Sequence, residues 1–331
     1  MQYDVVATLG PGSRDPATWA AMAAAGASAF RLNTSHLSID ETRIWLEQLD
    51  AFFASHGQAL PVVLDLQGGK WRLGNFPACD LLPGQIVTLL PAPEASVAGV
   101  LPVPHADFFT ATQDCPGQVV LNDARIHLDL LDRSAVRARA RVVVGGRISP
   151  HKGITLPGSG FRIEALSDKD QALAALARAY PFTRIAVSYV KDDLEMAHYR
   201  CLLGDPAGLI AKLERAPALA AATGIARQCS QVWLCRGDLG AELGLAEMAR
   251  AAQRFAAGLP LPGAPALLAG QVLEHLTCAP EPTRAEVCAL YTALTGGYQG
   301  VVLSDETAIG PYPVESCRAA ALFRTAALDG A

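Results

Sequence analysis

The sequence predicts an α/β fold, namely a (β/α)8 TIM barrel with a small β-barrel lid domain inserted after the third strand. Two observations lead to this prediction. Apolar, strand-like runs alternate with amphipathic helical stretches eight times, and eight such units are the number that closes a barrel. One long stretch interrupts the alternation and has strand patterns of its own. An open, doubly wound sheet is the alternative architecture.

Eight apolar runs have the length and composition of buried parallel strands. They are residues 3–9, 27–31, 60–64, 184–187, 208–212, 231–234, 265–268 and 300–303. Helical patterns follow them, around residues 15–25, 40–55, 167–179, 192–203, 216–226, 244–258, 271–277 with 284–295, and 313–327. In barrels of this kind the reacting groups lie at the C-terminal ends of the strands, so polar residues there are the functional candidates.

Residues 71–152 interrupt the alternation because they lack helical periodicity and are rich in glycine, proline and alternating strand patterns. Apolar and basic residues alternate over 136–142, which is typical of a strand with one buried face. Turns are predicted at Pro83-Gly84 and Gly145-Gly146. The predicted organisation is a first barrel segment over 1–70, the inserted lid over 71–152 and a second barrel segment over 153–331.

The composition fits a well-buried enzyme and argues against other classes of protein. Of 331 residues, 51% are hydrophobic and 18% are charged, and the net charge is −5 without a polybasic run. Nucleic-acid binding by bulk charge is therefore not expected, and any anion site must be a local cluster of Arg and Lys. No signal peptide opens the chain and no apolar run suits a bilayer, so we expect a cytoplasmic protein without a membrane partner.

The strongest functional signal is a pair of short strings, AKLE at 211–214 and RGDLG at 236–240, each after a predicted strand. Side chains alternate along a strand, so Lys212 and Glu214 point the same way, and Asp238 is expected on a loop after the next strand. Two carboxylates with few other protein ligands suit a Mg²⁺ ion that also binds substrate oxygens. A lysine beside them can bridge a phosphoryl group or move a proton. The strings predict metal-assisted phosphate or enolate chemistry.

Charged residues also end the second and third predicted strands. Arg31 suits a phosphate oxygen because its guanidinium is planar and always charged, although a structural arginine paired with barrel carboxylates is the alternative. His36 fits an ordinary turn histidine equally well. Asp65, Lys70 and Arg72 crowd three charges around two adjacent glycines, which suits either a close approach of the backbone to a ligand or a solvated turn.

Taken in order, these strings resemble those of the pyruvate kinase family, whose members move a phosphoryl group from phosphoenolpyruvate to ADP, giving pyruvate and ATP. The similarity spans nearly the whole chain, and the AKLE and RGDLG pair and PTRAE at 282–286 are its most specific parts. The matching strings are 9–11, 31–36, 65–72, 122–123, 156–158, 166–170, 211–214, 236–240, Gln271, 282–286 and 303–315. The family fold is a (β/α)8 barrel with a β-lid after the third strand.

The resemblance implies roles for individual residues. Glu214 and Asp238 would hold Mg²⁺ or Mn²⁺, Lys212 would stabilise the transferring phosphoryl group and the enolate, and Arg31 would bind the phosphate. The backbone at 236–238 would bind the substrate carboxylate, as a helix N-terminus can. The other implied site residues are Arg236, Gly237 and Gly270 around the substrate, and His36, Arg72, Lys169 and the lid residue Asp123 towards the nucleotide.

Three departures from the family pattern bear on activity. Gly270 stands where the family has its catalytic threonine, and losing one positioned donor typically costs on the order of 10²–10³ in rate. Asp305 replaces a glycine and adds negative charge near the eighth strand. The sequence stops at Ala331 without the family's usual C-terminal regulatory domain, so we expect an unregulated enzyme that is a monomer or a homodimer.

A fourth departure concerns K⁺. Most family members resemble one another in holding K⁺ near the phosphate, with side chains that align with Asn33, Ser35 and Asp65 and with a threonine after the aspartate. That threonine is Leu66 here, and a residue that is commonly glutamate is Lys70. Members that work without K⁺ show the same substitutions, and an ammonium can supply the charge of the ion. The resemblance implies no K⁺ requirement, with an exposed surface lysine as the alternative.

Three functional hypotheses stay open on the sequence. The first is an unregulated pyruvate kinase. The second is a divergent enzyme that acts on another enolpyruvate or 2-oxo acid at the same site, and Gly270 favours it because glycine leaves room that threonine would fill. The third is a regulatory relative with little turnover, against which the retained Arg31, Lys212, Glu214 and Asp238 argue.

Overall fold

The computed structural model describes residues 1–114, 117–122, 124–157, 166–204 and 208–325. The chain divides into two compact units. The barrel unit comprises Met1–Gln67, Asp168–Arg236 and Ala251–Ala331, and the inserted unit comprises Gly68–Ser167 and Gly237–Arg250. The predicted lid, 71–152, falls within the first segment of the inserted unit.

Strands and helices alternate along the barrel unit, as the hydrophobic pattern predicts. The strands of the described chain are β1 (Asp4–Leu9), β2 (Ala29–Asn33), β3 (Val62–Leu66), β4 (Cys79–Leu81), β5 (Ile86–Leu90), β6 (Val100–Pro102), β7 (Gln118–Leu121), β8 (Ile126–Ser134), β9 (Arg137–Val144), β10 (Gly146–Ile148), β11 (Ile154–Thr155), β12 (Thr183–Val187), β13 (Leu209–Leu213), β14 (Gln231–Cys235), β15 (Ala266–Ala269) and β16 (Gly300–Leu303). The helices are α1 (Pro16–Ala24), α2 (Ile39–His56), α3 (Ala106–Asp114), α4 (Asp168–Ala177), α5 (Asp193–Leu203), α6 (Ala216–Ala220), α7 (Ala222–Ala226), α8 (Arg236–Leu243), α9 (Leu245–Ala256), α10 (Arg284–Thr295), α11 (Asp305–Ala308) and α12 (Pro313–Ala320).

Eight of these strands form a closed parallel barrel in the order β1-β16-β15-β14-β13-β12-β3-β2. β1 pairs with β2 on one side and with β16 on the other, which closes the ring. The predicted (β/α)8 barrel is confirmed, with strand ends displaced by up to two residues. Two strands are displaced by two residues, and both carry charged site residues. The predicted strand 27–31 lies at Ala29–Asn33 with Arg31 in its middle, and the predicted strand 60–64 lies at Val62–Leu66 and includes Asp65.

The helices differ from the predictions in detail. The pattern over 216–226 forms two short helices, α6 and α7, and that over 313–327 forms a helix that ends at Ala320. α2 matches its prediction closely because its ends are well signalled. Ser38 and Glu41 form a capping box at its start, and Gly57 ends it in the left-handed region at φ 70°. Among the described helices, none is both long enough and apolar enough to cross a membrane.

The inserted unit contains a six-stranded sheet in the order β11-β7-β8-β9-β5-β6 and the pair β10-β4. It also contains α3, so the prediction that 71–152 lacks helix is wrong. Phe108 and Phe109 on α3 are fully buried and pack edge to face with each other, with ring centroids 5.2 Å apart. Two adjacent phenylalanines in a nine-residue helix give no clear helical period, so burial in this core decides the structure.

Candidate active site

Polar side chains face inward at the C-terminal end of the barrel. Side chains alternate along a strand, so residues two positions apart face the same side. An apolar cluster fills the barrel interior, and it includes one inward-facing residue from each of five strands: Val6, Ala29, Val63, Ala186 and Ile210. Two positions further along the chain from each of these, the residue is polar. These residues are Thr8, Arg31, Asp65, Ser188 and Lys212. The strand period therefore places the polar side chains on the same inward side as the apolar cluster.

Arg31 and Asp65 form a buried ion pair between neighbouring strands β2 and β3. Arg31 Nε donates to Asp65 Oδ2 at 2.8 Å, and Arg31 Nη2 donates to the same oxygen. Arg31 Nη1 donates to Thr8 Oγ1 at 2.8 Å. Arg31 therefore pairs with a barrel carboxylate, as the structural alternative predicts, and its side chain stays partly accessible.

Lys212 and Glu214 lie on the same side of β13, as the alternation predicts. Lys212 Nζ is 2.9 Å from Glu214 Oε1 and 3.1 Å from Asp65 Oδ1. Glu214 is 1% exposed, and its Oε2 accepts the backbone N–H of Tyr189 at 2.7 Å. Asp65 thus joins Arg31 on one side to Lys212 on the other, and four charged groups form one network inside the barrel unit.

The charges in this network hold one another in the ionised state. Burial disfavours the charged forms of Lys212 and Arg31, but the neighbouring carboxylates outweigh it and raise the pKa of both groups. Burial likewise opposes ionisation of Asp65, but Lys212 and Arg31 outweigh it and hold the pKa of Asp65 below its usual value. The network therefore presents two cations and an ionised Asp65 at neutral pH.

Two residues of the network were missed from the sequence. Ser188 Oγ accepts a hydrogen bond from Lys212 Nζ at 2.9 Å and donates to the Leu66 carbonyl at 2.8 Å. Ser188 could have been identified from the sequence, since it is a polar residue directly after the apolar end of β12. Thr8 accepts from Arg31 and donates to the Leu303 carbonyl at 2.7 Å. A threonine inside an apolar strand gives no comparable signal, because threonine is common in strands.

Arg236 begins α8 and is tied to the end of β15. Its Nε and Nη2 donate to the Gly270 carbonyl at 3.0 and 2.6 Å, and Nη2 also donates to the Gln271 carbonyl at 2.8 Å. Burial lowers the pKa of Arg236. Gly270 has φ 88° and Gln271 has φ 52°, so the chain turns here through the left-handed region. The guanidinium therefore satisfies carbonyls that this turn exposes.

Asp238 lies in the first turn of α8, so its predicted position on a loop is wrong. β14 ends at Cys235 and α8 begins at Arg236, with no loop between them. Gly237 concealed the helix in the sequence, because glycine is a poor helix former. The carboxylate of Asp238 near a helix N-terminus benefits from the helix dipole.

Lys70 and Asp238 form an ion pair inside the inserted unit. Lys70 is only 7% exposed, so it is not the exposed surface lysine that the alternative interpretation expected. Arg72, in the same unit, donates from Nη1 to the His151 carbonyl at 2.7 Å. Its Nε is buried and has no hydrogen-bond partner among the described residues. A buried donor left in this state is unusual and suits a ligand oxygen.

The residues predicted to lie towards the nucleotide are only partly described. Lys169 Nζ donates to the Thr34 carbonyl at 2.8 Å, which places it beside the turn Thr34–His36 that carries His36. In the same turn Asn33 Oδ1 accepts the Ser35 N–H at 3.3 Å. Asp123, and residue 158 of the 156–158 string, lie outside the described residues.

Comparison with known proteins decides the family. The family model described as pyruvate kinase, barrel domain, matches residues 1–317. The chain belongs to the pyruvate kinase family. The resemblance stated from the motifs is therefore confirmed over nearly the whole chain.

Individual pyruvate kinases are identical to this chain at about one residue in three. That of Methylorubrum extorquens is 33% identical over 314 residues, covering 94% of this chain and 66% of the relative. That of Agrobacterium vitis is 32% identical, covering 94% and 65%, and that of Haemophilus influenzae is 31% identical, covering 96% and 68%. The chain thus spans about two thirds of the length of these relatives, and slightly less for the first two.

The donor groups present fit the divalent metal that pyruvate kinases generally need. Glu214 and Asp238 offer carboxylate oxygens, which Mg²⁺ and Mn²⁺ prefer. Glu214 Oε1 lies beside Lys212 and its Oε2 accepts the Tyr189 N–H. No group of three or more His, Cys, Asp or Glu side chains suited to a metal occurs in the described part of the chain. A metal on one or two carboxylates would complete its shell with water or substrate oxygens, as Mg²⁺ does.

Proposed function

We propose that this chain transfers the phosphoryl group of phosphoenolpyruvate to ADP, giving pyruvate and ATP, with Mg²⁺ or Mn²⁺ as cofactor. The observation that supports this most is the buried network of Arg31, Asp65, Lys212 and Glu214 at the strand ends of a barrel. The family resemblance assigns Arg31 to the phosphate, Lys212 to the phosphoryl group and Glu214 to the divalent metal. It assigns Asp65 to the monovalent-cation site or its replacement.

The two cations of the network suit phosphoryl transfer because they are fixed in advance. Asp65 and Glu214 hold the guanidinium of Arg31 and the ammonium of Lys212, so little reorganisation is needed when charge develops in the transition state. We assign phosphate binding to Arg31, and stabilisation of the phosphoryl group and the enolate to Lys212. The amides at the start of α8, which Arg236 anchors, are assigned to the substrate carboxylate.

The charge of the network supports a metal requirement. Two cations and two carboxylates carry no net charge, whereas phosphoenolpyruvate is strongly anionic. Additional positive charge is needed to bind it in a buried site. We assign Glu214 and Asp238 as metal ligands, and the bound divalent ion would supply this charge and polarise the substrate oxygens.

The direct test is ³¹P NMR of phosphoenolpyruvate, ADP and Mg²⁺ mixed with the protein. We expect the phosphoenolpyruvate signal to decay while the γ-phosphate signal of ATP grows by an equal amount, and both changes to stop when divalent metal is removed. Growth of inorganic phosphate alone would identify a phosphatase and contradict the proposal.

We also propose that turnover does not require K⁺. Lys70 supplies a buried ammonium that pairs with Asp238, the carboxylate assigned to the metal. Leu66, where K⁺-binding members have threonine, is 1% exposed and has no side-chain oxygen.

Turnover in K⁺-free Na⁺ buffer should therefore match turnover in K⁺ at equal ionic strength, which keeps screening constant. Lys70→Glu should lower activity in the absence of K⁺, whereas Lys191→Glu makes the same charge change at a partly exposed side chain and should not. A stimulation by K⁺ of about tenfold or more, equivalent to about 1.4 kcal/mol, would contradict the proposal.

The second candidate, an enzyme for another enolpyruvate or 2-oxo acid, is favoured by Gly270. This residue has no side chain, and its φ of 88° is one that threonine rarely adopts, so the catalytic hydroxyl of the family is absent together with the backbone that would present it. Proton exchange at C3 of a series of 2-oxo acids, followed by ¹H NMR in D₂O with Mg²⁺, separates the candidates. Fast exchange of a larger 2-oxo acid without turnover of phosphoenolpyruvate would favour the second candidate.

A further inference from the structure

Arg72 is held in the inserted unit by a short antiparallel bridge to Gly153. The bridge is closed on either side by Leu73 N–H donating to the Lys152 carbonyl at 2.9 Å and by Ile154 N–H donating to the Trp71 carbonyl at 3.1 Å. Arg72 and Gly153 are therefore a non-hydrogen-bonded pair, in which the N–H of Arg72 points away from the partner strand. A partly buried peptide N–H in that position takes its acceptor from elsewhere.

His105 supplies that acceptor. The N–H of Arg72 donates to His105 Nε2 at 3.2 Å. An imidazole accepts only through a nitrogen without a proton, so this contact requires neutral His105 with its proton on Nδ1. Neither the barrel network nor any motif identified in the sequence uses His105.

We propose that His105 is a positioning residue for Arg72, which it holds in place for the nucleotide only while its imidazole is neutral. This inference rests on the proposed function and on the placement of Arg72 towards the nucleotide, which the family resemblance implies. Protonation converts Nε2 from an acceptor to a donor that faces the Arg72 N–H, and the contact must then open. Arg72 would lose its place, and binding of ADP would weaken in acid.

The surroundings of His105 are consistent with this role. Burial lowers the pKa of His105, and the Arg72 guanidinium lowers it further. Asp107 acts in the opposite direction, but its Oδ2 accepts a hydrogen bond from Trp71 Nε1 at 2.8 Å. The pKa of His105 therefore lies below the ordinary histidine value of about 6.5, so the imidazole is neutral at neutral pH.

The test combines kinetics with a measurement that does not depend on activity. The kcat/KM for ADP is measured from about pH 5 to about pH 8 for the wild type, His105→Gln, His105→Phe and the control His198→Gln, an exposed histidine on α5. The backbone amide of Arg72 is followed over the same range by ¹⁵N NMR after selective arginine labelling.

We expect the KM for ADP of the wild type and of His198→Gln to rise in acid as the Arg72 amide signal shifts. Glutamine accepts a hydrogen bond but does not titrate, so His105→Gln should keep a low KM in acid and a constant Arg72 signal. His105→Phe has no acceptor and should show a KM for ADP about tenfold higher at every pH, the size expected for one lost hydrogen bond.

An acid rise in KM that persists in His105→Gln, or an Arg72 amide that does not follow the His105 titration, would overturn the proposal. If His105→Phe does not fold, His105→Gln still decides. If the wild type forms no pyruvate at any pH, the proposed function fails, while the NMR titration still shows whether His105 positions Arg72.

Discussion

Lys212 shows how a single side chain is shaped by its neighbours in this barrel. Its ammonium contacts Asp65, Glu214 and Ser188, all of which are buried. Both carboxylates would be left with one cation fewer if it were removed. The same contacts fix the ammonium that we propose stabilises the transferring phosphoryl group, so we expect both stability and activity to depend on Lys212.

Lys212→Met should lower the rate of pyruvate formation by about 10²-fold or more, because one preorganised charge is lost from the transition state. It should also lower the free energy of unfolding by about 3–5 kcal/mol, the range for breaking a buried ion pair. Steady-state kinetics and urea denaturation measure the two effects. Lys191→Met is the control, because its 3.8 Å pair with Asp192 is partly exposed and should contribute little. Turnover of Lys212→Met within about threefold of wild type would exclude the assigned role.

Asp65 predicts a pH dependence of stability. Its folded pKa lies below the unfolded value of about 3.9, so its stabilising contribution is fully present above that pH and is lost as pH falls through the folded pKa. The stability difference between wild type and Asp65→Asn should therefore be large near pH 7 and shrink in acid. Thermal unfolding over this range measures it, with Asp305→Asn, an exposed residue of α11, as the control. A difference that does not change with pH would contradict the assigned ion pairs.

At the scale of elements, the junctions between strands and the following turns determine the site. β15 ends at Ala269, and the chain then turns through Gly270 and Gln271, both at positive φ. The Gly270 carbonyl faces Arg236, which begins α8 after the preceding strand. The backbone of one junction thus anchors the first residue of the helix at another.

Gly270→Thr tests this junction. A β-branched residue at φ 88° is strained by about 1–3 kcal/mol, so the variant should be less stable and should not gain activity from its new hydroxyl. Gly57→Thr is the matched control, because Gly57 has φ 70° at the end of α2, has open space where a Cβ would stand, and belongs to none of the site motifs. If both variants lose the same stability on urea denaturation, and turnover increases in Gly270→Thr alone, the threonine conformation is accessible after all.

The features of the site that could be predicted from the sequence are those that depend on the alternation of side chains along a strand and on the position of a residue at a strand end. Alternation along β13 places Lys212 beside Glu214, and this prediction is confirmed at 2.9 Å. The helical position of Asp238, in the helix α8 that begins at Arg236, and the helix α3 could not be predicted in the same way. Glycine in α8 and adjacent phenylalanines in α3 conceal the helical period. The contact between His105 and Arg72 joins residues 33 positions apart in an irregular region, where no local pattern specifies the pairing.

At the scale of the whole molecule, the chain combines a barrel unit that carries the four-charge network with an inserted unit that carries Lys70, Arg72 and His105. The charged residues of both units belong to strings that match one family, and the match extends over residues 1–317. The predicted lid role of 71–152 stays a prediction. The central claim is that this combination of residues catalyses the reaction of the family despite Gly270.

The most direct measurement is a coupled assay for pyruvate with phosphoenolpyruvate, ADP and Mg²⁺ in K⁺-free buffer, comparing the wild type with Lys212→Met at the same concentration. We predict measurable pyruvate formation by the wild type, slower than in relatives with threonine at position 270 by up to about 10²–10³-fold, and loss of nearly all of it in Lys212→Met. No pyruvate from the wild type with either Mg²⁺ or Mn²⁺, or equal rates for the two proteins, would contradict the central claim.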